Sequence, residues 1–272
     1  MAKMEPIQLG AVAYDAKVVV IWDIIREYFD DQGCPLDYTL YTNYERLIDS
    51  LAAGQVEIAW NSPLAWLDQV RRVGSGCRAI AMRDTDQDRC SHIVVRSDSG
   101  IESVEDLRGK VVGFGAKDSP QATLIPGGLL LRAGLSEGAD YTGKRFDVLL
   151  GKHGDHIGGE RDALEALVAG EVDASCTLDL NWQLWSSDGT ADPDKIKVLA
   201  TTDRFDHCVF GVREDFDATR EGAFLECLHS MSYDNPDHRE MMDMEGLKEW
   251  KQGRVSGFGA LSEAVDRLEY WN

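Results

Sequence analysis

The chain has no run of about eighteen consecutive apolar residues, the least that a membrane-crossing helix needs. Its start, "MAKMEPIQLGAVAY", shows no charged segment followed by an apolar run and a small-residue cleavage site. Taken by itself the sequence therefore predicts a cytoplasmic protein, or a periplasmic or lipid-anchored one if a signal precedes it. Basic residues are scarce: 28 Lys and Arg stand against 48 Asp and Glu, a formal charge of −20. Such a chain repels nucleic acid and anionic lipid, so neither is an expected partner, and direct membrane insertion is not expected either. The acidic residues are spread along the chain, as on a solvated surface.

Close cysteine pairs are absent too. Cys34, Cys77, Cys90, Cys176, Cys208 and Cys227 occur singly, without CxxC or HExxH spacing, which suits reduced thiols better than a disulfide framework or a zinc site. No internal repeat, low-complexity tract or heptad pattern is present. The 272 residues suffice for one large domain or two ordinary lobes.

What is there is alternation. Short β-rich runs and helical patterns follow one another, the sign of a mainly parallel sheet flanked by helices. "IQLGAVAY" (7–14), "LDYTLYT" (36–42), "VEIAW" (56–60) and "RAIAMR" (78–83) read as strands. Between them lie helical stretches, among them "NYERLIDSLAAG" (43–54), with Asn43 as N-cap and Gly54 as stop, and the proline-led "PLAWLDQVRRVG" (63–74). A long β segment, "CSHIVVRSD" (90–98), opens a second βα set through about residue 202, in which "QATLIPGGLLLRAGL" (121–135) predicts a helix that Pro-Gly-Gly bends or restarts. A second long β segment, "HCVFGVRED" (207–215), precedes closing helices over 220–231, 238–253 and 261–271. The expected fold class is α/β: two βα lobes joined by two β crossovers. Lobe I comprises 1–90 and 206–272, and lobe II 91–205.

In open α/β lobes ligands bind beyond the carboxyl ends of strands, where helix N-termini converge. Tyr14, Asn61, Ser62, Ser119 and Asp179 occupy such corners. Ser62-Pro63 and Ser119-Pro120 each set a hydroxyl before a proline-led helix start, where free N–H groups attract an anion or are simply capped.

Three stretches, "YTNYERLIDSLAAGQVEIAWNSPLAWLDQVRRVG" (41–74), "SHIVVRSDSGIESVEDLRGKVVGFGAKDSPQATLIPGGLLLRAGL" (91–135) and "DALEALVAGEVDASCTL" (162–178), together resemble the type II periplasmic binding-protein fold. Within it they resemble the phosphate, phosphite and phosphonate-binding receptors of ABC transporters. The resemblance spans about residues 7–215. It implies a small anionic ligand held in a cleft between lobes that close by hinging, a monomer delivering ligand to a membrane permease, and no cofactor. It also implies that Ser119, Gln121 and Thr123 hold the anion. The sequence departs from the family where "SPQAT" replaces a run of small hydroxyl residues, where Arg89 replaces a tyrosine, and where Arg161 replaces a histidine. Both arginines add multi-donor cations suited to carboxylate or phosphate, which makes a carboxylate-bearing ligand a second expectation. Tyr14 would supply an aromatic wall or hydroxyl, Asn61 an amide, and Asp179 an acceptor for an amine or a protonated oxygen.

"GKHGDHIGGERDA" (151–163) is an apparent insertion that carries His153 and His156. It reads as a solvated loop, a lip closing on the ligand, or a metal site, in that order. An enzyme on the same scaffold, for small-molecule biosynthesis or decarboxylation, is the alternative to a binding protein; it would draw on His153, His156, Cys90, Cys176 and Cys208.

Overall fold

A computed structural model describes residues 5–154 and 158–271. His156 lies outside the described residues. In chain order the elements are β1 (Ile7–Val12), α1 (Lys17–Asp31), β2 (Leu36–Tyr41), α2 (Tyr44–Ala52), β3 (Ile58–Asn61), α3 (Pro63–Val73) and β4 (Arg78–Arg83). There follow β5 (Ser91–Arg96), β6 (Val111–Phe114), a π-helical turn (Pro120–Leu124) running into α4 (Ile125–Arg132), β7 (Thr142–Arg145), α5 (Gly158–Val168), β8 (Ala174–Leu178), α6 (Asp179–Asp188) and β9 (Ile196–Thr201). The chain ends with β10 (Val209–Val212), α7 (Ala218–Ser230), α8 (Pro236–Glu245), β11 (Trp250–Gln252) and α9 (Gly259–Arg267). Among the described residues no helix is long and apolar enough to cross a membrane.

The chain divides into two compact units. The first holds the residues up to Gln87 and Asp206–Ser256; the second holds Asp88–Phe205 and the residues from Gly257 on. The first has a six-stranded sheet in the order β11-β4-β10-β3-β1-β2. In it β1, β2 and β3 are parallel, while β10 runs antiparallel between β3 and β4. Both faces of β1 are covered, which is why its sequence is almost wholly apolar. Ile7, Leu9 and Ala11 pack with the α1 residues Val18, Ile21, Trp22, Ile25 and Phe29, spaced as one helical face, and Val12 packs with Tyr44, Leu47 and Ile48 of α2. The two predicted caps are present: Asn43 accepts the Arg46 N–H at 2.9 Å and Ser62 that of Ala65 at 3.2 Å.

The second unit has a five-stranded sheet in the order β7-β6-β8-β5-β9. β6 runs parallel to both of its neighbours, and β5 runs antiparallel between β8 and β9. The predicted interruption in 121–135 is a restart, with Pro126 in the first turn of α4.

Three expectations are corrected. Residues 257–272 were expected in the first lobe but belong to the second unit, because α9 packs on α4 at the close approach of Gly128 to Ala264. The last stretch of 238–253 was expected to be helical. Gly246, in the left-handed region, ends α8, and Trp250–Gln252 then pairs with β4 as β11. The edge strand of the second sheet is Thr142–Arg145, a segment with little apolar character that the pattern passed over.

Candidate functional site

β6 ends at Phe114, and both parallel neighbours leave its carboxyl end open to the helix start that follows. Ser119 has extended backbone, and its Oγ accepts the Ala122 N–H at 3.2 Å. Its carbonyl takes the N–H groups of Thr123 and Leu124 at 3.1 and 2.9 Å. The Gln121 N–H, just after Pro120, stands outside that network at the positive end of the turn.

Ser119, Gln121 and Thr123 are all buried, with 1, 3 and 4% of their surface exposed. Among the described residues, Gln121 Oε1 and Thr123 Oγ1 are buried and have no hydrogen-bond partner. Leaving such atoms unsatisfied costs about 1–3 kcal/mol each, so a cluster of them marks a place built for a guest. The other end of the Gln121 amide is used: Nε2 donates to the Gly154 carbonyl at 3.0 Å. A carbonyl only accepts, so this contact fixes which way the amide faces.

The segment 147–154 lies against this corner. Asp147 Oδ1 accepts the Lys117 N–H at 2.8 Å, and Asp118 Oδ2 accepts the Gly151 N–H at 2.6 Å. The His153 N–H also bonds to Asp118, yet burial prevails and raises the Asp118 carboxyl above its ordinary range. Burial pushes the His153 imidazole down to about 3, so it is neutral near pH 7.

A second buried carboxylate sits at the start of α5. Glu160 Oε1 accepts from Thr177 Oγ1 at 2.8 Å, the Leu178 N–H at 2.7 Å and Asn181 Nδ2 at 2.9 Å. It thereby ties α5 to the corner between β8 and α6. The signal available was a glutamate inside a glycine-led helix start, which also fits a solvated first turn. Arg161, the adjacent residue and the expected cleft cation, is instead exposed and paired with Glu165 at 2.9 Å, one helical turn on. Arg89 and Asp179 are brought together, 3.5 Å apart and about one-fifth exposed, so these two expected ligand contacts pair with each other.

In the first unit Tyr14 is half-buried at the corner after β1, with Lys17 Nζ 6.0 Å from its ring centre. Asn61 points into the unit: Nδ2 donates to Gln69 Oε1 at 2.7 Å, and Gln69 Nε2 in turn donates to the Val212 carbonyl at 3.1 Å. Ser62 caps α3.

Cys176 lies fully buried in β8, and burial raises its pKa far above the ordinary range; Cys90 is raised by burial and by Asp179. Cys208 Sγ lies 3.1 Å from His207 Nδ1. Among the described residues one trio has metal-ligand spacing: Asp86, His207 and Cys208, with ligand atoms within 4.8 Å of one another. Its carboxylate is already occupied, because Arg83 donates to both oxygens of Asp86 at 2.7 and 2.8 Å. A buried guanidinium in that place disfavours a metal cation. His153 belongs to no such group among the described residues.

Two α/β units, each with a mixed sheet in which an antiparallel strand (β10 or β5) is inserted beside parallel ones, and with β11 antiparallel at the edge of the first, form the fold of the periplasmic binding proteins. Structural comparison agrees. The chain superposes on PhnD1 from Prochlorococcus marinus (MIT 9301), solved in complex with methylphosphonate, with TM-score 0.71 and 15% identity, covering 97% of this chain and 98% of that one. The binding protein component of an ABC phosphonate transporter from Pseudomonas aeruginosa gives TM-score 0.65 at 14% identity, covering 98% and 87%. The periplasmic aliphatic sulphonate binding protein SsuA from Escherichia coli gives 0.55 at 15%, covering 97% and 79%. Residues 11–257 match the family described as "ABC transporter, phosphonate, periplasmic substrate-binding protein", and the chain belongs to that family. A curated but uncharacterized protein of Haemophilus influenzae is 59% identical over 34 residues; the match covers 12% of this chain and about half, 48%, of that protein.

Proposed function

We propose that the protein is an extracytoplasmic substrate-binding protein that holds a small oxyanion at the start of the turn Pro120–Leu124. In this role it passes the ligand to a membrane permease. The observation that carries this reading is the buried set Ser119, Gln121 and Thr123 on one proline-led turn, in which the Thr123 hydroxyl has no partner among the described residues. Ser119 Oγ keeps its proton while accepting from Ala122, so it still has a hydrogen to donate. Thr123 Oγ1 and the Gln121 N–H add two further donors, and the turn's dipole favours negative charge. Family membership supports a phosphonate; PhnD1 was solved with methylphosphonate, and SsuA is an aliphatic sulphonate binding protein. Closure of the two units on the ligand by hinging belongs to the same proposal.

The test is a thermal-shift screen of methylphosphonate, phosphate, an alkanesulfonate and small carboxylates. A ligand that binds only the folded state raises the melting temperature as its concentration passes the dissociation constant. At least one oxyanion is expected to do so, and the Ser119→Ala/Thr123→Val double variant is expected to lose the shift. No shift with any oxyanion, or an undiminished shift in the double variant, counts against the reading.

A further inference from the structure

The segment 147–154 is fastened at three points to the corner that carries the oxyanion donors. Asp147 takes the Lys117 N–H, Asp118 takes the Gly151 N–H, and the Gly154 carbonyl takes one Gln121 amide hydrogen. Asp118 is 5% exposed, so its contact with the segment is an internal latch and not a surface encounter. Gly154 has φ +72° and lies directly on Ser119: a side-chain carbon there would overlap Ser119 Oγ and come within 3.1 Å of Gln121 Nε2. Only glycine combines that backbone conformation with so close an approach.

The Gly154 carbonyl oxygen carries partial negative charge and takes the Gln121 side-chain amide, while Gly154 itself lies against Ser119 Oγ, a donor that the proposed function assigns to the ligand. Gly154 therefore crowds the place of a ligand oxygen on Ser119 Oγ. We propose that 147–154 is an intramolecular strap that competes with the anion, with the Gly154 carbonyl occupying the Gln121 amide and the backbone of Gly154 covering Ser119, and with Asp118 as its latch. The inference rests on the oxyanion reading. Binding then requires the strap to shift, and the measured affinity is reduced by the fraction of molecules in which it is seated. Gly154 and Asp118 set ligand access without either one being a donor to the anion.

The test compares the intact protein with Asp118→Ala and Gly154→Ala in two readouts. Calorimetric titration with methylphosphonate is expected to show both variants binding more tightly, by roughly 3- to 10-fold, as the seated state is depopulated. Amide hydrogen exchange over 147–154 is expected to quicken in both variants without ligand, and in the unaltered protein when methylphosphonate is added. Binding by the unaltered protein with equal or weaker binding by both variants would overturn the strap while leaving the oxyanion site standing. Exchange over 147–154 that slows on ligand addition would overturn it too, since the segment would then complete the site. No binding by any of the three proteins removes the oxyanion reading and the gating role together.

Discussion

Arg83 and Asp86 meet fork to fork inside the first unit, Nε on Oδ2 at 2.7 Å and Nη2 on Oδ1 at 2.8 Å. Nη1 of the same guanidinium reaches the Glu245 carbonyl at 2.8 Å and Glu245 Oε2 at 3.0 Å. This network joins the end of β4 to the end of α8 and holds the chain just before it leaves the first unit at Gln87. Replacing Asp86 by Asn would leave a buried guanidinium short of charge. The expected loss is about 3–5 kcal/mol of unfolding free energy, measured by urea titration.

Acid dependence follows from the same pair. Burial pushes the Asp86 carboxyl upward, but the charge and hydrogen bonds of Arg83, with His207, overcome it and hold it well below the ordinary 3.8. A carboxyl whose folded pKa is depressed contributes stability that is present above the unfolded value and lost as pH falls through the folded one. Below about pH 4 the unaltered protein should therefore lose stability more steeply than Asp86→Asn, in urea titrations repeated from neutral to acid pH. Parallel curves for the two proteins would contradict this assignment.

Arg161 yields the opposite expectation. Both partners in its pair with Glu165 are about half exposed, and such pairs contribute little. Arg161→Ala should change unfolding free energy by less than about 0.5 kcal/mol and leave anion affinity unaltered in calorimetry. A large loss of affinity would restore the cation to the site.

Gly128 brings α4 so close to α9 that a side-chain carbon would sit 2.8 Å from Ala264 Cβ. Gly128→Val should cost about 1–3 kcal/mol through overpacking. Hydrogen exchange should report the loss within the second unit, where both helices lie.

His153 should stay neutral. Burial depresses its pKa to about 3, so its ring resonances are expected to show no titration between about pH 5 and 8 in NMR. An ordinary titration near the unperturbed 6.5 would contradict the depressed value.

Much of the fold was legible because its causes are local. The caps Asn43 and Ser62, the glycine stop after α2 and the apolar face of α1 each write themselves in a few residues. β7 and β11 were not legible. TGKR and WKQ become strands by pairing at the sheet edge, with β6 and with β4, and not by their own apolar pattern. The same division holds in the site. Ser119, Gln121 and Thr123 fall on one turn, so their spacing places them together. Asp118 and Glu160 act through partners 17 to 33 residues away, and a carboxylate that will be buried looks, in sequence, like any surface acid. Arg161 is the reverse case: its residue type suits an anion, but the helix turns it outward onto Glu165 while its neighbour Glu160 is buried.

A crystal structure of the protein grown with methylphosphonate locates the anion outright. The expected result is a phosphonate group with its oxygens within hydrogen-bonding distance of Ser119 Oγ, the Gln121 N–H and Thr123 Oγ1, and with the Gly154 carbonyl displaced from Gln121. A phosphonate bound elsewhere, with Ser119, Gln121 and Thr123 arranged as they are now, would contradict the oxyanion site.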